Sequence, residues 1–196
     1  MAFDAEKPSA DALLLARYAG GDRDAARLLT DRFLPLCYRL AVRLLADRTE
    51  AEDVAQEAML RLFRAATGWQ PGRAQISTWL YRVTANLCTD RLRKPRPAPL
   101  AAAPEIADGR RSVEAGLMAA DRQAALAKAL AVLPERQRLA VVLRHIEGLA
   151  NPEIARIMAV GTEATESLVA RGVRGLKQAL IGQREALGYE DDQDHG

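Results

Sequence analysis

The sequence predicts an all-α protein made of two small helical domains, joined by a flexible Pro/Ala-rich linker, with a helix-turn-helix in the second. Three observations lead there. Hydrophobic residues make up 49% of the chain, but this share leans on alanine and leucine, with only 5% aromatic. Such a composition favours helix over sheet. Apolar residues recur at spacings of three and four along most of the length, the period of a half-buried helix. That period is absent from Pro95 to Gly109, where Pro95, Pro97, Pro99 and Pro104 stand among alanines. At 196 residues there is room for one domain or two small ones, each with its own core.

The elements follow in order. Asp11 to Ala19 is apolar at Leu14, Leu15 and Tyr18 and stops at Gly20-Gly21-Asp22. Asp24 to about Ala46 puts Leu28, Leu29, Phe33, Leu36, Leu40, Leu44 and Leu45 on one stripe, with Pro35 inside it predicting a kink or a break. Glu50 to Ala66 turns Val54, Ala58, Leu62 and Ala65 inward. Thr67 to Gln75 reads as a loop from its two glycines and one proline. Ser77 or Thr78 is positioned to cap the next helix, which runs to about Lys94. The linker to residue 118 spans at most roughly 75 Å at ~3.3 Å per residue. Helical periodicity resumes near Leu117 and lasts to about Ile181. The acidic end, Tyr189 to Gly196, is expected to fray. The predicted division is 10–94, linker 95–118, 119–181 and tail 182–196.

Chemistry concentrates between Ile76 and Arg96. Trp79, Arg82, Val83 and Asn86 fall on one side of a helix, and Arg91, Arg93, Lys94 and Arg96 give it a basic end. Cations grip a phosphate backbone without reading it, whereas aromatics and amides hold bases that have left the stack. The mixture points to opened or single-stranded DNA. Trp79 and Tyr81 are equally suited to bracing a core, and a buried Asn86 would hold the helix in place. Net charge is only +2, but Arg61 to Arg96 holds eight basic residues against Asp90 alone. Asp47 to Glu57 holds five acids (Asp47, Glu50, Glu52, Asp53, Glu57) against Arg48. An acidic block beside a basic one fits two faces with two partners, or an ordinary solvated helix surface.

A second signal lies about 60 residues on. Asn151-Pro152 caps and opens a helix with Ile154 and Met158 apolar and Ala155 small, Ala159-Val160-Gly161 turns, and Thr162 caps a helix to about Leu180. Val160, Leu168 and Val169 would join the two helices. Glu163, Ala164, Glu166, Ser167, Ala170 and Arg171 would then face a major groove, with Arg171, Arg174 and Lys177 reaching phosphate or guanine edges. Two packed helices without DNA are the plain alternative.

Several function classes find no support. Cys37 and Cys88 stand alone in helical patterns without a Cys or His at metal spacing, so each reads as a buried apolar residue in a reducing cytosol. The N-terminus lacks an apolar stretch of signal-peptide length, and no run approaches 18 apolar residues. A soluble intracellular protein is expected. His145, beside Arg144, and His195 have no catalytic partner; no phosphate loop, metal cluster or nucleophile triad appears in the sequence, so no cofactor or enzymatic activity is expected. A stand-alone helix-turn-helix regulator would leave the acidic helix and the aromatic-basic helix unexplained. A recombinase would need a nucleophilic serine or tyrosine among arginines.

Asp47 to Arg64, DRTEAEDVAQEAMLRLFR, then STWLYRVTANLCTDRLRK, then LPERQRLAVVLRHIEGLANPEIARIM resemble the extracytoplasmic-function (ECF) sigma factors of the bacterial sigma-70 family. The resemblance covers about residues 11–94 and 121–181, in the family's order and with its intervening linker. It implies a promoter-specificity subunit, not a catalyst. The acidic helix would dock on the clamp helices of the largest subunit of RNA polymerase through Glu52, Asp53, Gln56 and Glu57, with Leu60 and Phe63 nearby. The next helix and its preceding loop would melt the minus-ten element and capture a flipped base through Gly72, Arg73, Ala74, Trp79, Tyr81, Arg82 and Asn86. Arg91, Arg93 and Lys94 would add phosphate contacts. The helix-turn-helix would read the minus-thirty-five element through Thr162, Glu163, Glu166, Ser167, Ala170, Arg171, Arg174 and Lys177, with the flap of the second polymerase subunit as a further contact. An anti-sigma partner is implied too, and no direct membrane insertion. The chain departs from the family in Ala159 for the turn glycine, Gly161 at the cap, Thr165 for an apolar residue, and Glu166-Ser167-Leu168 for a basic run. Glu166 would accept from a cytosine amino group or repel the backbone.

Overall fold

The computed structural model describes residues 9–70, 72, 75–93 and 124–186, with side chains as far as Gly182. The predicted linker, residues 187–196 of the predicted tail, Arg73, Ala74 and Lys94 lie outside the described residues, whereas 182–186, predicted as tail, continue the last helix. Every regular element among those described is helical: α1 Ala10–Ala19, α2 Arg23–Leu45, α3 Arg48–Ala65, α4 Ile76–Arg93, α5 over 124–131, α6 Glu135–Val141, α7 Asn151–Met158 and α8 Thr162–Ala186. A short 3-10 turn, Ala66–Gly68, follows α3, and α6 runs on into a π-turn, Val142–Ile146.

Side-chain caps fix the starts of α1, α2 and α3. Ser9 accepts from the Ala12 amide at 3.2 Å, and Asp47 from Glu50 at 3.0 Å. Asp22 accepts from the amides of Asp24 and Ala25 and from Arg17 at 2.7 Å. The Arg17 hydrogen bond, aided by the Ala25 amide, holds the Asp22 carboxyl below the usual range. α2 does not break at Pro35. It continues to Leu45, because Leu29, Phe33, Cys37, Leu40, Ala41 and Leu44 bury one face along its whole length. Burial of that stripe, at roughly 1.5–3 kcal/mol per large side chain, outweighs the ~3 kcal/mol a helix-interior proline costs. Nor do Ser77 and Thr78 cap α4, which starts one residue earlier at Ile76.

α2 packs on α3, α4 and α1, so the first half is built around it. The second half packs α6 and α7 against α8, with Leu130, Leu133, Val141, Val142, Leu143, Ile154 and Ile157 buried. The start of α7 differs from expectation. Ala150, not Asn151, precedes the helix, and its amide donates to the Glu153 carboxylate at 3.0 Å, while Pro152 sits in the first turn. α8 begins at Thr162, with Gly161 in the capping place. Thr165, a departure from the family pattern, is fully buried; its hydroxyl donates to the Gly161 carbonyl at 3.1 Å, which makes burial tolerable. Val160, Leu168 and Val169 are only half-buried.

Ala159 turns the chain between α7 and α8 at φ 52°, a left-handed conformation that favours glycine. The Cβ penalty there is ~1–2 kcal/mol, against ~0.5–1 kcal/mol for the greater unfolded-state freedom of glycine. Ala159→Gly is therefore expected to raise stability by about 0.5 kcal/mol, read as an increased melting temperature. A lower melting temperature would contradict the account.

Cys37 and Cys88 are both buried. Burial pushes the Cys37 thiol up to about 11 and the Cys88 thiol up to about 12, so neither is a ready nucleophile. His145 is exposed on the π-turn. No helix among the described residues is long and apolar enough to cross a membrane.

Candidate functional site

α4 is amphipathic, and its polar side faces out. Ile76, Leu80, Tyr81, Thr84, Ala85, Leu87 and Cys88 are buried, whereas Arg82, Asn86, Asp90 and Arg93 form an exposed stripe at helical spacing. Asn86 therefore lies free for a ligand, and the alternative of a buried Asn86 fails. Trp79 is half-buried beside this stripe and meets Trp69 edge-on, with ring centroids 5.8 Å apart. Trp69, inside the 67–75 loop, was not singled out from sequence; an aromatic in a polar loop was its only signal. Gly72 is exposed at φ 88°.

Two of the predicted DNA-binding residues are engaged elsewhere. Tyr81 is only 6% exposed, and its hydroxyl donates to Glu147 at 2.8 Å. Its ring is part of the core in this arrangement, so it offers no face to a base. Burial, then the Glu147 hydrogen bond, pushes the phenol upward and keeps it a proton donor. Arg91 is ion-paired with Glu50 and approaches Asp53 at 4.0 Å, both on α3. The basic end of α4 thus leaves Arg93 as its exposed cation among the described residues.

α3 presents the acidic surface. Glu52, Asp53 and Gln56 are exposed, Leu60 is 48% exposed, and Glu57 is half-buried in an ion pair with Arg61 at 2.9 Å. The Arg61 hydrogen bond holds the Glu57 carboxyl below the usual range. Phe63 departs from this surface; its ring packs tilted at 43° against Tyr18 of α1, with centroids 4.7 Å apart. Two depressions flank α3. One, of 420 Å³, is floored by Leu34, Pro35, Tyr38 and Ala55 and rimmed by Glu52 and Gln56. The other, of 670 Å³, lies between α3 and α4 and brings Asp53, Glu57 and Leu60 to Arg91 and Arg93. Sequence reasoning missed Leu34, Pro35 and Tyr38, because an apolar groove between two helices has no linear pattern.

On α8, Thr162, Glu163, Glu166, Ser167, Ala170, Arg171, Arg174 and Lys177 are all exposed. They form one polar face, as a groove-reading helix requires. The Arg171 guanidinium donates to the Ser167 carbonyl at 3.2 Å, and Asn151 reaches Glu166 at 3.4 Å. No group of carboxylates, cysteines and histidines suited to a metal occurs among the described residues.

Comparison with known proteins places this arrangement. The family model for Sigma-70 region 2 matches residues 29–97, and that for Sigma-70, region 4 matches residues 123–176. The ECF RNA polymerase sigma factor SigM of Mycobacterium tuberculosis is 33% identical over 181 residues, spanning 91% of this chain and 88% of SigM. The chain belongs to the ECF sigma factors of the sigma-70 family. A second ECF sigma factor, SigW of Bacillus subtilis, is 30% identical over 82% of this chain and 91% of its own length. Two solved structures share the fold of this ECF sigma factor. CnrH in complex with the cytosolic domain of CnrY gives a TM-score of 0.67 at 24% identity, over 89% of this chain and 99% of CnrH. RpoE in complex with the anti-sigma factor NepR, from Bartonella quintana, gives 0.62 at 19% identity, over 79% and 96%. As an RNA polymerase sigma factor of the ECF type, the protein directs core polymerase to promoters and initiates transcription there.

Proposed function

We propose that this sigma factor engages core polymerase with the exposed acidic face of α3 and opened minus-ten DNA with the Arg82–Asn86–Arg93 stripe of α4. The carrying observation is that these two faces sit side by side on one packed body. Glu52, Asp53, Gln56, Glu57 and Leu60 meet the clamp helices, with the apolar groove beside Glu52 as an extension of that contact. Asn86 offers one acceptor and two donors to the edge of an unstacked base. Stacking on Trp79 at roughly 1–3 kcal/mol offsets part of the few kcal/mol that extracting a base requires. α8 lies in the major groove of the minus-thirty-five element, and the second half also meets the flap of the second polymerase subunit. The protein is a non-catalytic subunit acting in the cytoplasm, under an anti-sigma factor, as the complexes of its structural neighbours with CnrY and NepR support.

Reconstitution tests the reading. The full chain, added to core polymerase from its own cell, should start transcription on fragmented genomic DNA at sites sharing two upstream motifs. Asn86→Ala should relax selectivity at one minus-ten base without lowering the melting temperature, since the side chain is exposed. Arg93→Ala should weaken binding evenly across sequences and reduce the salt slope by about one unit. Transcription no different from core alone would refute the assignment.

A further inference from the structure

The two halves of the protein meet along a seam that neither promoter contact nor polymerase docking accounts for. Glu147 follows the π-turn of the second half, yet its side chain is only 4% exposed. Both polar partners of its carboxylate among the described residues lie in the first half. The Tyr81 hydroxyl of α4 donates to it at 2.8 Å, and Arg39 of α2 stands at 3.4 Å. On the same seam, Arg138 of α6 donates to the Leu44 carbonyl in the last turn of α2 at 2.7 Å. The Thr89 hydroxyl of α4 donates to Glu135. α7 packs directly on α4. A carboxylate withdrawn from water is costly unless charge-paired and hydrogen-bonded, so Glu147 suits this closed arrangement specifically.

The closed body cannot touch both promoter elements at once. Elements named for positions ten and thirty-five lie about 25 base pairs apart, roughly 85 Å at ~3.4 Å per pair. A body of the described size is roughly 40 Å across. Residues 94–123, about 30 in number, reach at most ~100 Å when extended, enough to span that separation.

We propose that Glu147 is a latch that holds the free sigma factor closed on Tyr81 and Arg39, and that it releases before both promoter elements are engaged. What the opening serves rests on the sigma-factor reading; the closed form itself does not. Release returns Glu147 and Tyr81 to water. Because a binding-competent state that is only partly populated weakens apparent affinity by that fraction, weakening the latch tightens binding to polymerase.

The test compares the full chain with Glu147→Ala, Tyr81→Phe and, as a control, Asp31→Ala at an exposed carboxylate of α2. Small-angle X-ray scattering reads the conformation, and titration with core polymerase reads the affinity. The wild type and Asp31→Ala should be equally compact. Glu147→Ala should raise the radius of gyration by about a fifth or more and tighten core binding about threefold to tenfold, with Tyr81→Phe moving both in the same direction. Helical content from circular dichroism identifies a misfolded variant, and Tyr81→Phe then carries the test. A wild type already extended, or latch variants as compact as the control, overturns the latch while core binding keeps the sigma-factor reading intact. Opening without core binding by any chain does the reverse.

Discussion

Replacing Asp53 and Glu57 together by lysine is expected to weaken core-polymerase binding by about a hundredfold. Asp53 is 61% exposed at its side chain and Glu57 borders the same cleft, so both are placed to meet a basic partner. Losing two complementary charges and gaining two repulsive ones costs about 2–3 kcal/mol, which is that factor. The effect should fall mainly on the association rate and shrink as salt rises, because exposed charges are screened beyond about 10 Å at 0.1 M. Folding should be nearly unaffected. Arg91 keeps Glu50 when Asp53 is lost, and the Glu57–Arg61 pair, solvent-accessible on both sides, contributes little. A pull-down with core polymerase and a thermal melt of the free chain separate the two effects. Undiminished binding by a folded double variant would remove α3 from the polymerase contact.

Much of this surface was legible before the fold. The alternation that buries Leu80, Thr84 and Leu87 while exposing Arg82 and Asn86 is a helical period, and the acidic block on α3 is a run of neighbouring residues. What was not legible depends on elements distant in sequence. Nothing in the local pattern distinguishes Tyr81 as a residue that buries its ring against Glu147, 66 positions away. Arg91 read as a phosphate contact because its own neighbours are basic, while its partners, Glu50 and Asp53, lie on another helix. Pro35 read as a kink or a break because propensity is local, and the apolar stripe that carries the helix through it only gains its value once α3 and α4 pack on it.

Gly172 and Gly182 share helix α8 and look equivalent in sequence, but the structure predicts opposite outcomes for them. A Cβ on residue 172 would lie 2.5 Å from Val141 Cγ2 and 3.0 Å from the Gln137 carbonyl oxygen, both on α6. Val141 is 2% exposed and the carbonyl belongs to the helix backbone, so neither has room to retreat. At residue 182 nothing lies within 4 Å of the added atom. Alanine in a helix is favoured over glycine by ~1 kcal/mol, so Gly182→Ala should stabilise the protein by up to about that amount. Gly172→Ala gains the same propensity but forces α6 and α8 apart, at a cost of ~1–3 kcal/mol for overpacking. The net result is a loss of up to about 2 kcal/mol. Gly172→Val adds a branched side chain with little helix preference over glycine, and should lose about 3 kcal/mol or more, enough to displace the α8 reading face. Denaturant unfolding of the three variants checks the order, valine below alanine at 172, and both below alanine at 182. If Gly172→Ala proves as stable as Gly182→Ala, α6 and α8 do not cross at that residue, and the packing that aims Glu166 and Arg171 outward has a different origin.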